Sequence, residues 1–171
     1  MKGVLIMIEE NNVMDGQVAL NGVKEDDSKA VIPEKKKSTI SLTAYQWVKM
    51  IDKHKVTFDN TLQRRFVWDF ERNSLLIHTM LTPWMEIPKL YAKCGEEKQY
   101  DMIDGKQRSK AIYSFMKNEY ALLNIPEVED ENGNLIDLNG KFFKDLSKDM
   151  QNQIEGYSLS LVKSLKNLPL R

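Results

Sequence analysis

A single cysteine, Cys94, and only two histidines, His54 and His78, occur in the 171 residues. One thiol excludes an intrachain disulfide and any multi-cysteine metal centre. Two imidazoles leave too little for a zinc site or a histidine-dependent nuclease centre. Net charge is lacking as well: 25 Lys and Arg balance 25 Asp and Glu. No global basic field therefore marks a nucleic-acid binder, although a local basic groove stays open. Long apolar runs are missing, and Val4–Ile8 is too short for a signal-peptide core or a membrane span. The expectation is a cytoplasmic protein with no membrane partner. There are no internal repeats. What remains is enough chain for one domain with a real core, and a hydrophobic share of 42% that suits it.

The first part of the chain carries little chemistry. Residues 1–38 read as a flexible segment; Val4–Ile8 offers a short strand, and Asn21-Gly22 could turn a hairpin with Val18–Leu20. Lys24–Lys37 is charged, contains Pro33 and reads as a mobile linker. From residue 39 to 171 the pattern is that of a folded domain. Thr43 with Gln46 three residues later forms a capping box, followed by a helix that places Ala44, Trp47, Val48 and Ile51 on one face. Lys55–Asp59 alternates as a strand. Leu62–Asp69 mixes polar, basic and aromatic residues in a connection. A second helix starts near Asp69, with Phe70, Leu76, Ile77, Met80 and Leu81 as its apolar side and Pro83 as its stop. Pro88–Lys93 and the strand from Tyr100 are expected to pair antiparallel across Gly95–Lys98. Later, Tyr120–Leu123 reads as a strand, and Leu135–Leu138 as a hairpin arm for Phe142-Phe143. Lys148–Ile154 reads as a helix capped by Ser147, and Tyr157–Leu161 as a final strand.

The chemistry concentrates in Tyr100–Phe115, where a strand meets Asp104-Gly105 and a helix opens at Lys106 or Gln107. Arg108, Ala111, Ile112 and Phe115 share one helical stripe, with Lys106, Lys110 and Lys117 opposite. A guanidinium on the apolar face needs an anionic partner, since burying it unpaired costs several kcal/mol, roughly. Two partners suit it: a carboxylate such as Asp69 or Asp104, or a ligand phosphate at the positive helix end. Gly105 would let backbone amides approach a phosphate closely, and Arg108 could grip it bidentately. Asp104 could hold Mg2+ or a water, or cap the helix. Gln107 could orient an attacking water.

The order of pieces resembles one family. A helix, then Leu62-Gln63-Arg64-Arg65-Phe66-Val67-Trp68-Asp69, a helix with Leu75-Leu76-Ile77, then Ile87–Tyr91, and then Tyr100–Arg108 follow in sequence. Downstream come Asn139-Gly140-Lys141 and Asp145-Leu146-Ser147. This succession, over roughly Thr39–Leu165, is similar to the DGQQR-motif domain at the N-terminus of GmrSD-type modification-dependent restriction enzymes. The resemblance implies an α+β fold of the ParB/sulfiredoxin kind, a small mixed sheet flanked by helices. It implies a nucleotide pocket and hydrolysis of GTP or ATP with Mg2+, coupled to attack on modified foreign DNA by a nuclease domain or subunit outside this chain. Carried over by motif, Asp104, Gln107 and Arg108 are the catalytic candidates. Gly105, Lys106, Gln63, Arg64 and Trp68 are the nucleotide-binding candidates, and Asp104 is the candidate metal ligand.

Two departures shape the expectation. Lys106 stands where the family has its first motif glutamine, and the family's later F-x-R-L-N segment does not follow before Arg171. Missing that segment, the domain reads as truncated. The alternative is then a non-catalytic module on the same fold, either DNA-binding or a phage-encoded decoy.

Overall fold

The structure is a computed structural model that describes residues 37–58, 68–82, 84–95, 98–130 and 132–165. The N-terminal hairpin expected above lies outside these residues, as do Gln63, Arg64, Val67 and all of the linker but Lys37, which with Ser38 belongs to a strand and not to a flexible segment. The described residues form an α+β domain. Its mixed five-stranded sheet has the order β1-β7-β3-β4-β2, from β1 (Lys37–Thr43), β7 (Ser158–Leu165), β3 (Leu90–Cys94), β4 (Tyr100–Asp104) and β2 (Val56–Thr57). The helices are α1 (Ala44–Asp52), α2 (Phe70–Leu81), α3 (Lys106–Met116) and α4 (Lys148–Gly156). A separate two-stranded hairpin joins β5 (Val128–Glu129) to β6 (Leu135–Ile136).

Local signals set most helix starts. Thr43 accepts from the Gln46 amide while Gln46 Oε1 accepts from the Thr43 amide, which closes the capping box on α1. Asp69 caps α2 through the Arg72 amide, and Ser147 caps α4 through the Met150 amide. In β3 the alternation is strict: Leu90, Ala92 and Cys94 are buried while Tyr91 and Lys93 are exposed. That is the period of a strand with one covered face. These residues join one core with Trp47, Ile77, Met80, Met102, Ile112, Phe115, Ile154 and Leu161. Helix α3 packs on α1 and α2, and both of those pack on α4.

Several expectations need correction. The Thr43 helix is preceded by a strand, β1, whose partner β7 pairs with it antiparallel from Lys37↔Ser164 to Thr43↔Ser158. Tyr120–Leu123 is no strand; Leu122 exchanges backbone hydrogen bonds with Gly140 and Lys141 at 2.8 and 2.9 Å, and no ladder extends from them. Its place is fixed instead by the buried Ser74 hydroxyl, which donates to Phe70 O and accepts from the Leu123 amide. Leu135-Ile136 pairs with Val128-Glu129 and not with Phe142-Phe143. The Asp130 carboxylate gathers the amides of Asn132 and Asn134, and Gly133 at φ 81° turns the chain back there. Phe143 goes the other way and meets Phe115 edge-on at 5.9 Å. Phe70, expected on the apolar side of α2, is 60% exposed, because the first helical residue lies beyond the packed stripe and Ser74 takes an inner position.

Candidate functional site

Strand β4 runs inside the sheet, between β3 and β2, and ends at the corner where α3 begins. Its pairing with β3 is irregular: Ala92 faces Met102 but Tyr91 faces Asp104, so Ile103 is the extra residue of a bulge. The bulge breaks the in–out alternation, leaving Ile103 and Asp104 both exposed after the buried Met102. Gly105 follows in the left-handed region, at φ 87°. A side chain there would run into Leu90 Cδ2, so the glycine also makes room for the first residue of β3. No side chain caps α3, and its first turn holds no acidic residue.

The partner of Arg108 is internal. Its Nη2 donates to Asp104 Oδ2 at 2.7 Å, and its Nη1 donates to Pro88 O at 2.5 Å and Lys89 O at 3.3 Å. The guanidinium side chain is 12% exposed, whereas Asp104 is 64% exposed. The last β3–β4 pair is Tyr91↔Asp104, so the carbonyls of Pro88 and Lys89 lie past the end of β4. Arg108 supplies a donor to both of these carbonyls. Of the two carboxylates open to it on the sequence, Asp104 takes the role, and Asp69 is spent as the cap of α2.

A planar fork can reach a carboxylate and two carbonyls together, and an ammonium cannot. Arg108→Ala should therefore lower stability by about 2 kcal/mol, mostly from the carbonyl bonds and the packed stem, since the exposed carboxylate is well solvated. Arg108→Lys should recover less than half of that. Urea unfolding of the three proteins checks both expectations.

The other expected site residues divide. Gln107 lies beside Trp68, whose amide donates to Gln107 Oε1 at 3.4 Å. The connection before α2 and the motif helix thus meet. Trp68 is half-buried against the core and lines a shallow groove along α2 with Arg72, Leu75 and Thr79. Lys106, also half-buried, opens the first turn of α3. Among the described residues, no group of three His, Cys, Asp or Glu is arranged for a metal ion. What the sequence reading missed is the carbonyl pair of Pro88 and Lys89. A carbonyl has no residue type, so no motif could have signalled it.

The comparison with protein families matches residues 22–169 to the GmrSD restriction endonuclease N-terminal domain. The chain belongs to this family. The match encloses the whole Asp104–Arg108 corner and every element of the five-stranded sheet. Comparisons with curated proteins and with solved structures returned no match. In this GmrSD-type domain the motif segment is first a structural corner: bulge, left-handed glycine, and an arginine that ties α3 to the end of β4 and to the two residues before β3. Among the described residues no helix is long and apolar enough to cross a membrane.

Proposed function

We propose that this chain is a nucleotide-binding domain of a cytoplasmic restriction system that acts on modified foreign DNA, together with a nuclease domain or subunit. Phosphates would be received at the start of α3. The observation that carries this reading is the state of that helix end. The starts of α1, α2 and α4 are capped by Thr43, Asp69 and Ser147, while α3 begins at Gly105 with neither a side-chain cap nor an acidic residue. Lys106 adds a cation in the same turn. Amides and dipole there favour an anion. In this reading Arg108 and Asp104 hold the helix start in position, and Lys106, Gln107 and the Trp68 segment are the groups nearest an incoming nucleotide, GTP or ATP.

Hydrolysis is the finer part of the proposal. Gln107 is the residue to orient a water, as in other phosphate-transfer sites. Asp104 gives one carboxylate oxygen to Arg108, so it is poorly suited to hold Mg2+ by itself, and no step here runs through a protein-held ion. The same engagement of Arg108 favours a second reading, a module that binds nucleotide or DNA without turnover.

The test is titration of the full chain with fluorescent GTP and ATP analogues in Mg2+ buffer, with phosphate release followed in parallel. Lys106→Glu should weaken binding by about tenfold or more at unchanged melting temperature, because it places a carboxylate at the helix start. Undetectable nucleotide binding by the native chain would sink the proposal. Binding without phosphate release, with or without DNA, would leave the second reading.

A further inference from the structure

Beyond the motif corner, the end of α2, the turn after it and the β5–β6 hairpin enclose an open groove of about 570 Å³. Leu81, Met85, Val128 and Leu135 make its apolar walls. Trp84 stands 78% exposed and Leu135 67% exposed. Large apolar side chains left in water beside a polar rim mark a contact surface. Among the described residues that rim is of one sign: Glu127, Glu129 and Asp130 line the groove, and no described Lys or Arg does. A smaller cavity of about 290 Å³ shares Glu129 and Asp130, adds Asp149, and again has no Lys or Arg among the described residues of its lining. His78, also on the wall, is held below its usual pKa by burial, so it adds no positive charge at neutral pH.

We propose that this groove docks a cationic amphipathic segment of a partner protein. An apolar side chain of the segment seats beside Trp84 and Leu135, and its lysines or arginines face Glu127, Glu129 and Asp130. Charge complementarity selects this occupant. DNA is disfavoured, because three carboxylates would oppose its phosphates. A small ligand is disfavoured too, because an open groove with a largely solvated tryptophan would leave much of it in water. An amphipathic peptide meets both needs, with an apolar face for the groove and charges for the rim. The aromatic residue supplies the anchor, and the carboxylates choose the partner and speed encounter. No residue lining this groove belongs to the Asp104–Arg108 corner, so the inference stands apart from the nucleotide reading.

The test uses the full chain and a labelled synthetic helix with leucines along one face and lysines along the other. The same peptide with glutamates in place of lysines and a labelled DNA duplex serve as comparisons. The lysine peptide should bind, and the glutamate peptide should bind at least about tenfold more weakly. The double reversal Glu127→Lys with Glu129→Lys should weaken the lysine peptide by about tenfold and flatten its salt dependence. Trp84→Ala should weaken it by a similar factor, roughly. All three substituted residues are exposed, so melting temperatures should hold. Glu119→Lys, outside both cavities, should leave binding unchanged. Absent binding of the lysine peptide, equal binding of both peptides, indifference to the groove variants, or binding of the labelled DNA duplex that Trp84→Ala abolishes would each overturn the proposal.

Discussion

Replacing Phe115 with alanine is expected to destabilise the protein by about 3–5 kcal/mol, the range for emptying a fully packed aromatic site. Phe115 is completely buried on the inner face of α3. Its ring lies 5.4 Å from that of Tyr120 and 5.9 Å from that of Phe143, so three separate parts of the chain converge on it. Neither neighbour can readily close the gap. Tyr120 is tied by its hydroxyl, which donates to Ala111 O at 3.1 Å, and Phe143 belongs to the tight turn Phe143–Asp145. A rigid wall keeps the cavity open, and open cavities carry the larger penalty. Phe115→Leu, which keeps most of the volume, should restore roughly half of the loss. Urea unfolding with an unchanged slope would confirm a packing effect, and a loss under about 1 kcal/mol would show that the three parts do not depend on the ring.

The second large effect is expected at Gly105. Gly105→Ala should cost about 2–5 kcal/mol, from two sources. Holding alanine in the left-handed region costs about 1–2 kcal/mol, and overpacking a tight site adds about 1–3 kcal/mol. The overpacking is specific: the new methyl would run into Leu90 Cδ2, and Leu90 is itself buried at the start of β3. Gly105→Asn separates the sources, because asparagine tolerates the left-handed conformation but meets the same leucine. If Asn is as harmful as Ala, the clash dominates; if Asn is mild, the backbone does. A neutral Gly105→Ala would mean that the corner between β4 and α3 is not held as described. In the proposed function this corner aims the helix start, so Gly105→Ala should lower nucleotide binding as well as stability.

These two residues also show what kind of information a sequence carries. The stripe of Ala111, Ile112 and Phe115 was readable because a helix repeats every few residues, and all three are buried as that period requires. The caps at Thr43 and Ser147 were readable for the same reason, since donor and acceptor lie three residues apart. Strand β1 was not, although Ile40 and Leu42 alternate with polar residues. Its hydrogen bonds go to β7 at the far end of the chain, and no local feature points there. The hairpin is ambiguous in the sequence, because Asn132-Gly133 and Asn139-Gly140 are both good turns. The choice between them was made by Phe143, which packs on Phe115 and is then unavailable as a strand partner.

At the candidate site the division is the same. By itself the sequence determined that a helix begins after Asp104-Gly105 and that Arg108 faces inward near its start. It also determined that this arginine requires acceptors, because an unpaired buried guanidinium is too costly to persist. Which acceptors it takes was decided only by the tertiary structure. The bulge at Ile103 leaves Asp104 exposed within reach, and β4 ends too early to pair with Pro88 and Lys89, whose carbonyls accept from Arg108. Both are matters of strand register, which depends on pairing between distant segments and is written in no single one of them.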